Sequence, residues 1–389
     1  MDTAKAEWTR FENLSDLKGM LASPGPCVSL YMTLAATGPE QSEKVTALEW
    51  KELVRSIEPR LQEIGANTRE LLETLDDWGA ILDGQSPAGK SIAVFRSPDV
   101  FCLTWLQSQV PNRAVVGPHF FLRPLLPELT RPTAFYLLAL SQKNVRLLRC
   151  TLTTSEQVPL PTGTPESFDA YMNTAKPDHN RRDMQSAGPS SGHTKGIIAN
   201  KDTTAEDKGE HLAHFFRVID RAVNEALRGR SEPLVMAAVE YELPMYREVN
   251  SYPHLSAVDV NGAPNSLKSG EMHARALEAL DKDYYAQIDE VLAQYDHLVG
   301  GSASNRLRDV VTASHDGRVL TLLVSDSLEK TGAFDERTHS VRGHARDAAE
   351  EEDLVNDAVV QTVLHAGQVY VAPNTKLPNG APVAAVFRF

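Results

Sequence analysis

The chain has 389 residues, a mass of 42.8 kDa, 42% hydrophobic and 23% charged residues, so it outgrows a single hydrophobic core and has the apolar content to fold as two or three domains. Its formal net charge of −13 excludes a uniformly basic surface held to nucleic acid by counterion release, and confines any RNA contact to a local patch. The amino-terminal residues MDTAKAEWTRFENL lack the positive start and apolar core of a signal peptide, and the longest apolar runs, such as Ala134–Leu140, fall far short of the ~20 residues of a membrane helix, so a cytoplasmic chain with no membrane partner is expected.

Taken in order, Phe11 to Leu21 reads as a short helix, and PGPCVSLYM as a proline-punctuated entry into a β-rich run. Glu43 to Leu82 reads as one long helical stretch, with Leu48, Leu53, Ile57, Leu61, Ile64, Leu71, Leu72 and Leu75 at roughly helical spacing. SIAVFRS and VFCLTWL, split by Pro98 and Asp99, form a hairpin, and PLLPELTRP closes the first region, residues 1–128. The second region, 129–268, opens with a hairpin of Phe135–Gln142 and Val145–Leu152 joined by Lys143 and Asn144. A stretch without periodicity follows, loop 177–205, and then an amphipathic helix, Glu206 to Leu227, with Leu212, Phe215, Phe216, Ile219, Val223 and Leu227 on one face and Thr203 or Thr204 as its N-cap. Pro233–Leu243 reads as a buried strand and Ser266–Leu280 as a helix.

The third region, 269–389, holds helices at Ile288–Leu298 and Asn305–Ala313, the strand VLTLLVSD and a charge-rich stretch from Ser327 to Asp353. Glu350, Glu351, Glu352 and Asp353 precede a helix from Leu354 to Ala366, where acids favour the positive end of the dipole, and Gly367 is placed to end that helix at C′. VYVAP and VAAVFRF finish as strands around an NGAP turn.

Cys27, Cys102 and Cys150 each lie in an apolar run without a CxxC partner, which predicts buried thiols in a reducing compartment. Residues Gly84 to Ser91 fit the phosphate-loop pattern, but a helical segment precedes them, a strand follows at once, and Pro87 removes an amide donor; a polar helix-to-strand turn is expected instead. The histidine pairs His179 with Asp183, Glu210 with His214, and His339 with His344 each fall short of the three or four ligands of a zinc site, so neither metal nor cofactor is expected. The segment Pro177–Gly196 has the most functional content. Lys176, Arg181, Arg182, Lys195 and Lys201 form a basic island opposed only by Asp178 and Asp183; Gly188, Gly192 and Gly196 permit close backbone approach, and Gln185 and His193 offer hydrogen bonds. A disordered insertion without a role is the competing reading of so long a loop.

PGPCVSLYM, HFFLRPLL, FYLLALSQKNVRLL, HLAHFFRVIDRAV and GQVYVAPNTKLPNGAPVAAVFRF together resemble the bacterial archaeo-eukaryotic release factor-like proteins, relatives of the archaeal and eukaryotic release factors and of Pelota, over nearly the whole chain. The resemblance implies an α/β multidomain protein: a divergent α/β N-terminal domain, a ribonuclease-H-like middle domain and a C-terminal domain similar to kink-turn-binding ribosomal proteins. It also implies a ribosome or tRNA partner, with Arg181, Arg182, Gly188, Gly192 and Lys195 as RNA-binding residues. Release factors carry a Gly-Gly-Gln loop at the position of Pro177–Gly196; this chain has none there, and Gln185 stands in Met-Gln-Ser. Binding without hydrolysis is therefore the first expectation. Peptidyl-tRNA ester hydrolysis through Gln185 or His193 is the second, and a ribonuclease the third.

Overall fold

The computed structural model of the chain describes residues 6–11, 13–23, 25–34, 39–82, 90–132, 134–175, 205–343 and 351–389. Contacts gather them into two units, Met1–Thr133 with Tyr284–Phe389, and Ala134–Asp283.

In the first unit, strands Cys27–Thr33, Ser91–Arg96, Phe101–Leu106 and Arg113–Gly117 pair antiparallel, and Glu7–Trp8 adds a parallel edge. The expected hairpin across Pro98 and Asp99 forms, with Arg96 opposite Phe101. Successive side chains of a strand point to opposite faces. Val28, Leu30, Met32, Ile92, Val94 and Leu103 accordingly pack with Trp50, Val54 and Leu61 of the helical layer. Tyr31, Ala93, Phe95 and Cys102 face the other way and enter a core shared with residues 310–387.

The helical layer is not one helix. It breaks into Pro39–Arg55, Glu58–Glu63, Thr68–Leu72 and Trp78–Leu82. Pro59 is tolerated only in a first turn, Gly65 takes φ 68°, and Asn67 caps the next helix by accepting the Glu70 amide, so three local signals override the apolar spacing. At the amino terminus, Asn13 and Asp16 form a capping box over the short helical turns Leu14–Leu17 and Lys18–Leu21.

The carboxy-terminal part of this unit has a mixed sheet ordered Ala303–Ser304, Val383–Phe387, Val319–Ser325, Gln368–Ala372, with the last two strands parallel. Helix Leu354–Leu364 is buried on nearly every side, as a helix apolar all round must be. It ends two residues before the expected Ala366. Ala366 itself takes the left-handed conformation at φ 58°. Gly367 answers a different need, since a Cβ there would stand 2.6 Å from Thr362 Cγ2 and 2.8 Å from the Val319 carbonyl oxygen. The charge-rich stretch also holds structure: Thr331–Asp335 pairs with both Ser340–Arg342 and Glu352–Asp353.

In the second unit, the sheet runs Leu255–Asn261, Leu234–Ala238, Ala134–Leu140, Val145–Thr151, Ser155–Val158. The first three strands are parallel and the last two antiparallel. The Lys143–Asn144 hairpin forms, with Leu140 opposite Val145. Helix Ala205–Ala226 covers one face, burying Leu212, Phe215, Phe216, Ile219 and Val223 against Tyr136, Leu138 and Leu147. Met272, Ala276 and Leu280 cover the other. The expected strand Pro233–Leu243 stops at Ala238 and gives way to helix Glu242–Val249, because Pro244 suits the first turn of a helix and would break a central strand. The two helices expected between Ser266 and Leu298 are one, Ser269–Leu298: beyond Gly270 it contains neither Gly nor Pro to interrupt it. Among the described residues no helix is long and apolar enough to cross a membrane.

Candidate functional site

The basic segment, with Arg181, Arg182, Gln185, Gly188, Gly192, His193 and Lys195, lies outside the described residues, as do His179, Asp183, His344 and Gly84 to Gly89 of the phosphate-loop pattern and the N-cap candidates Thr203 and Thr204. Both flanks of the basic segment are described. Helix Phe168–Ala175 precedes it, and its Phe168 and Tyr171 rings lie 5.8 Å and 5.7 Å from the Phe215 ring of helix Ala205–Ala226, which follows it. The Phe168 amide donates to the Gln142 carbonyl at 2.8 Å. Ser91, which closes the phosphate-loop pattern, opens a strand and not a helix.

At the carboxyl ends of the parallel strands Ala134–Leu140 and Leu234–Ala238, the position where open α/β sheets usually bind ligands, Gln142 Nε2 donates to Tyr241 Oη at 2.6 Å and to Glu242 Oε1 at 3.2 Å. Glu242 is 1% exposed, and its Oε2 has no hydrogen-bond partner among the described residues. Burial raises its carboxyl above the ordinary range, against hydrogen bonds from Gln142 and Tyr241. A two-metal nuclease needs a cluster of carboxylates, and in this group Glu242 stands with an amide and a phenol.

Among the described residues, a set of ionisable side chains gathers inside the first unit. Residues 118–123 follow strand Arg113–Gly117 and run along the start of helix Leu354–Leu364. Asn356, 2% exposed, accepts from the Leu122 amide at 2.7 Å and donates to the Phe120 carbonyl at 2.9 Å. Arg123 meets Asp353 at 3.1 Å and donates to the carbonyls of Ser325 and Leu328. Asp353 also caps the helix through the Val355 amide. Beside this clasp His119 Nδ1 stands 3.1 Å from both oxygens of Glu352, and His315 Nε2 stands 3.0 Å from both oxygens of Asp357. Phe334 stacks on His315 at 3.8 Å between centroids.

Burial works against a charged His119, but the hydrogen bond and charge of Glu352, with Asp357 and Glu336, outweigh it and raise the imidazole above its ordinary value. Burial also raises the Glu352 carboxyl, against the hydrogen bond from His119. Both shifts make this pair hold protons more tightly. Burial, seconded by Glu352, pushes the Cys27 thiol up to about 12, and Cys150 is likewise pushed to about 12 by burial. These thiols and Cys102 are free and buried, as expected from their apolar runs.

No pattern in the sequence joins His119, Glu352 and Asp357, because 233 positions separate the first two. Glu352 reads there as one acid among four at a helix start. The available signal was its neighbourhood: two carboxylates five positions apart around a helix with an otherwise apolar face, and a lone histidine in HFFLR.

The profile of bacterial archaeo-eukaryotic release factor family 3 matches residues 134–318. No curated protein matches the chain. Among solved structures, S. cerevisiae Dom34, described as a translation termination-like factor involved in RNA quality control, has 12% identity and a TM-score of 0.38, covering 80% of this chain and 77% of its own. A ribosome-bound archaeal Pelota has 12% identity and a TM-score of 0.36, covering 98% and 95%. The archaeal translation termination factor aRF1 has 13% identity and a TM-score of 0.23, covering 97% of each chain.

Proposed function

We propose that this chain, a release factor-like protein by its residues 134–318, is a cytoplasmic translation-associated factor that binds the ribosome or tRNA through the basic segment Pro177–Gly196. The family match over the stretch that contains this segment is the observation that carries the reading. The second unit then corresponds to a ribonuclease-H-like middle domain, a reading supported by its order of two antiparallel and three parallel strands. The mixed sheet after Ala303 corresponds to a kink-turn-binding ribosomal-protein-like domain, and 1–128, 129–268 and 269–389 are the three regions of the factor.

On this reading Arg181, Arg182 and Lys195 pair with phosphates, while Gly188 and Gly192 let the backbone approach them closely. Sedimentation with 70S ribosomes over a salt series tests it. Replacing Arg181, Arg182 and Lys195 together by alanine should weaken binding and lower the salt slope by about 0.7–0.9 for each phosphate left without its cation. An unchanged affinity and slope would sink the proposal. Peptide release from peptidyl-tRNA that disappears in Gln185→Ala or His193→Ala would replace binding by ester hydrolysis as the activity. Fold analogy to ribonuclease H carries no nuclease chemistry without its carboxylates.

A further inference from the structure

We propose that His119, Glu352 and Asp357 bind one divalent transition-metal ion of the zinc class, with His315 positioning Asp357. One ring nitrogen and two carboxylate oxygens lie within 4.8 Å of one another. Zinc takes such ligands at about 2.0–2.2 Å, so closing on a common centre asks each side chain to move by roughly half an ångström. A nitrogen and two oxygens suit Zn²⁺, Fe²⁺ or Mn²⁺ and do not suit Cu⁺, which prefers sulfur.

Two stretches of backbone bring the ligands together, residues 119–122 and the continuous run from Glu352 to Asp357. Asn356 pins residues 120–122 beside His119. The pairing of Glu352 with Gly332 and the Asp353 cap fix the backbone around Glu352. Asp357 is set by the buried helix and by His315, itself held under the Phe334 ring. An imidazole donating to a ligating carboxylate orients it, as outer partners do at protein metal sites.

Access and charge also fit. Asp357 is fully buried and Glu352 is 9% exposed at its side chain, whereas His119 is 26% exposed, so the site has one open side. Once His119 gives up its proton to a metal, the two carboxylates carry two negative charges that a dication balances. The helix start opposes a cation with only about half a positive charge, and it favours the ionised carboxylates that ligation needs. The ion would tie residues that follow the first sheet to those that open the last helix, within one unit, and so couple its folding to metal. This inference does not depend on the RNA-binding reading.

The test uses the full chain, stripped with a chelator and titrated with Co²⁺ alone under visible absorption, then with Zn²⁺ as competitor. One equivalent of Co²⁺ should bind, be displaced by Zn²⁺, and raise the unfolding midpoint seen by tryptophan fluorescence. His119→Gln and Glu352→Gln should each weaken binding by more than about 100-fold, and His315→Asn by roughly 10–100-fold, the cost of losing an outer partner. If Glu352→Gln does not fold, the partly exposed His119→Gln decides alone. Absence of saturable one-equivalent uptake, or wild-type affinity in folded His119→Gln, overturns the proposal and leaves a proton-bridged ion-pair network.

Discussion

Both units have apolar cores, and the first closes around a longer-range polar seam as well. In the second, helix Ala205–Ala226 lays Leu212, Phe215, Phe216, Ile219 and Val223 across a sheet. In the first, residues far apart in sequence meet through a buried polar seam of Asn356, Arg123–Asp353, His119–Glu352 and His315–Asp357. Apolar packing is non-directional and tolerates small shifts, whereas the seam works only if every donor finds its acceptor. The first unit thus has the more exacting interior.

All four tryptophans, Trp8, Trp50, Trp78 and Trp105, belong to the first unit. Their fluorescence therefore reports that unit alone, and far-UV circular dichroism reports both. This separates the predicted effects. The largest is expected in the second unit: Phe215→Ala removes a fully buried ring at the centre of the aromatic group and should cost about 3–5 kcal/mol. It should lower the dichroism transition while the fluorescence transition stays in place. Equal shifts in both probes would show that the units unfold together and would abolish the distinction.

Asn356→Leu strikes the seam. It strands the Leu122 amide and the Phe120 carbonyl, each at about 1–3 kcal/mol, and the fluorescence midpoint in denaturant should fall accordingly. A loss below the measuring error would mean that the seam is decorative and that apolar packing holds both units alike.

A smaller effect concerns pH. Because burial raises the Glu242 carboxyl, the folded second unit binds more protons than the unfolded chain across the window above the ordinary carboxylate value of 4.5. Stability conferred there is present at low pH and declines as pH rises through the raised value. Glu242→Gln should flatten that decline in the dichroism midpoint measured across pH; an unaltered profile would assign it to other groups. Least of all should Arg275→Ala matter. Its i,i+4 pair with Glu271 is exposed, and roughly 0.3–0.5 kcal/mol is expected from urea melts.

Where the chain's own periodicity sets a structure, the sequence is readable. The Lys143–Asn144 hairpin, the Pro98–Asp99 hairpin and the 205–226 helix need only neighbours within a few residues to decide their period, and all three form. Errors concentrate where two local signals compete. Pro59, Gly65 and Asn67 divide a stretch whose leucines keep helical spacing, and Pro244 turns the end of an apolar run into a helix.

Composition and pattern determined that this is an α/β chain with buried thiols, and its motifs carry the resemblance to release factor-like proteins. The tertiary structure alone decided that the first and last thirds of the chain share a core, that the acidic run before Leu354 supplies a helix cap, a small strand and a buried carboxylate, and that His119 meets that carboxylate. The reason is physical. Local propensity acts over a few residues, while the pairing of a buried charge is fixed by whichever distant segment the fold brings within hydrogen-bond reach.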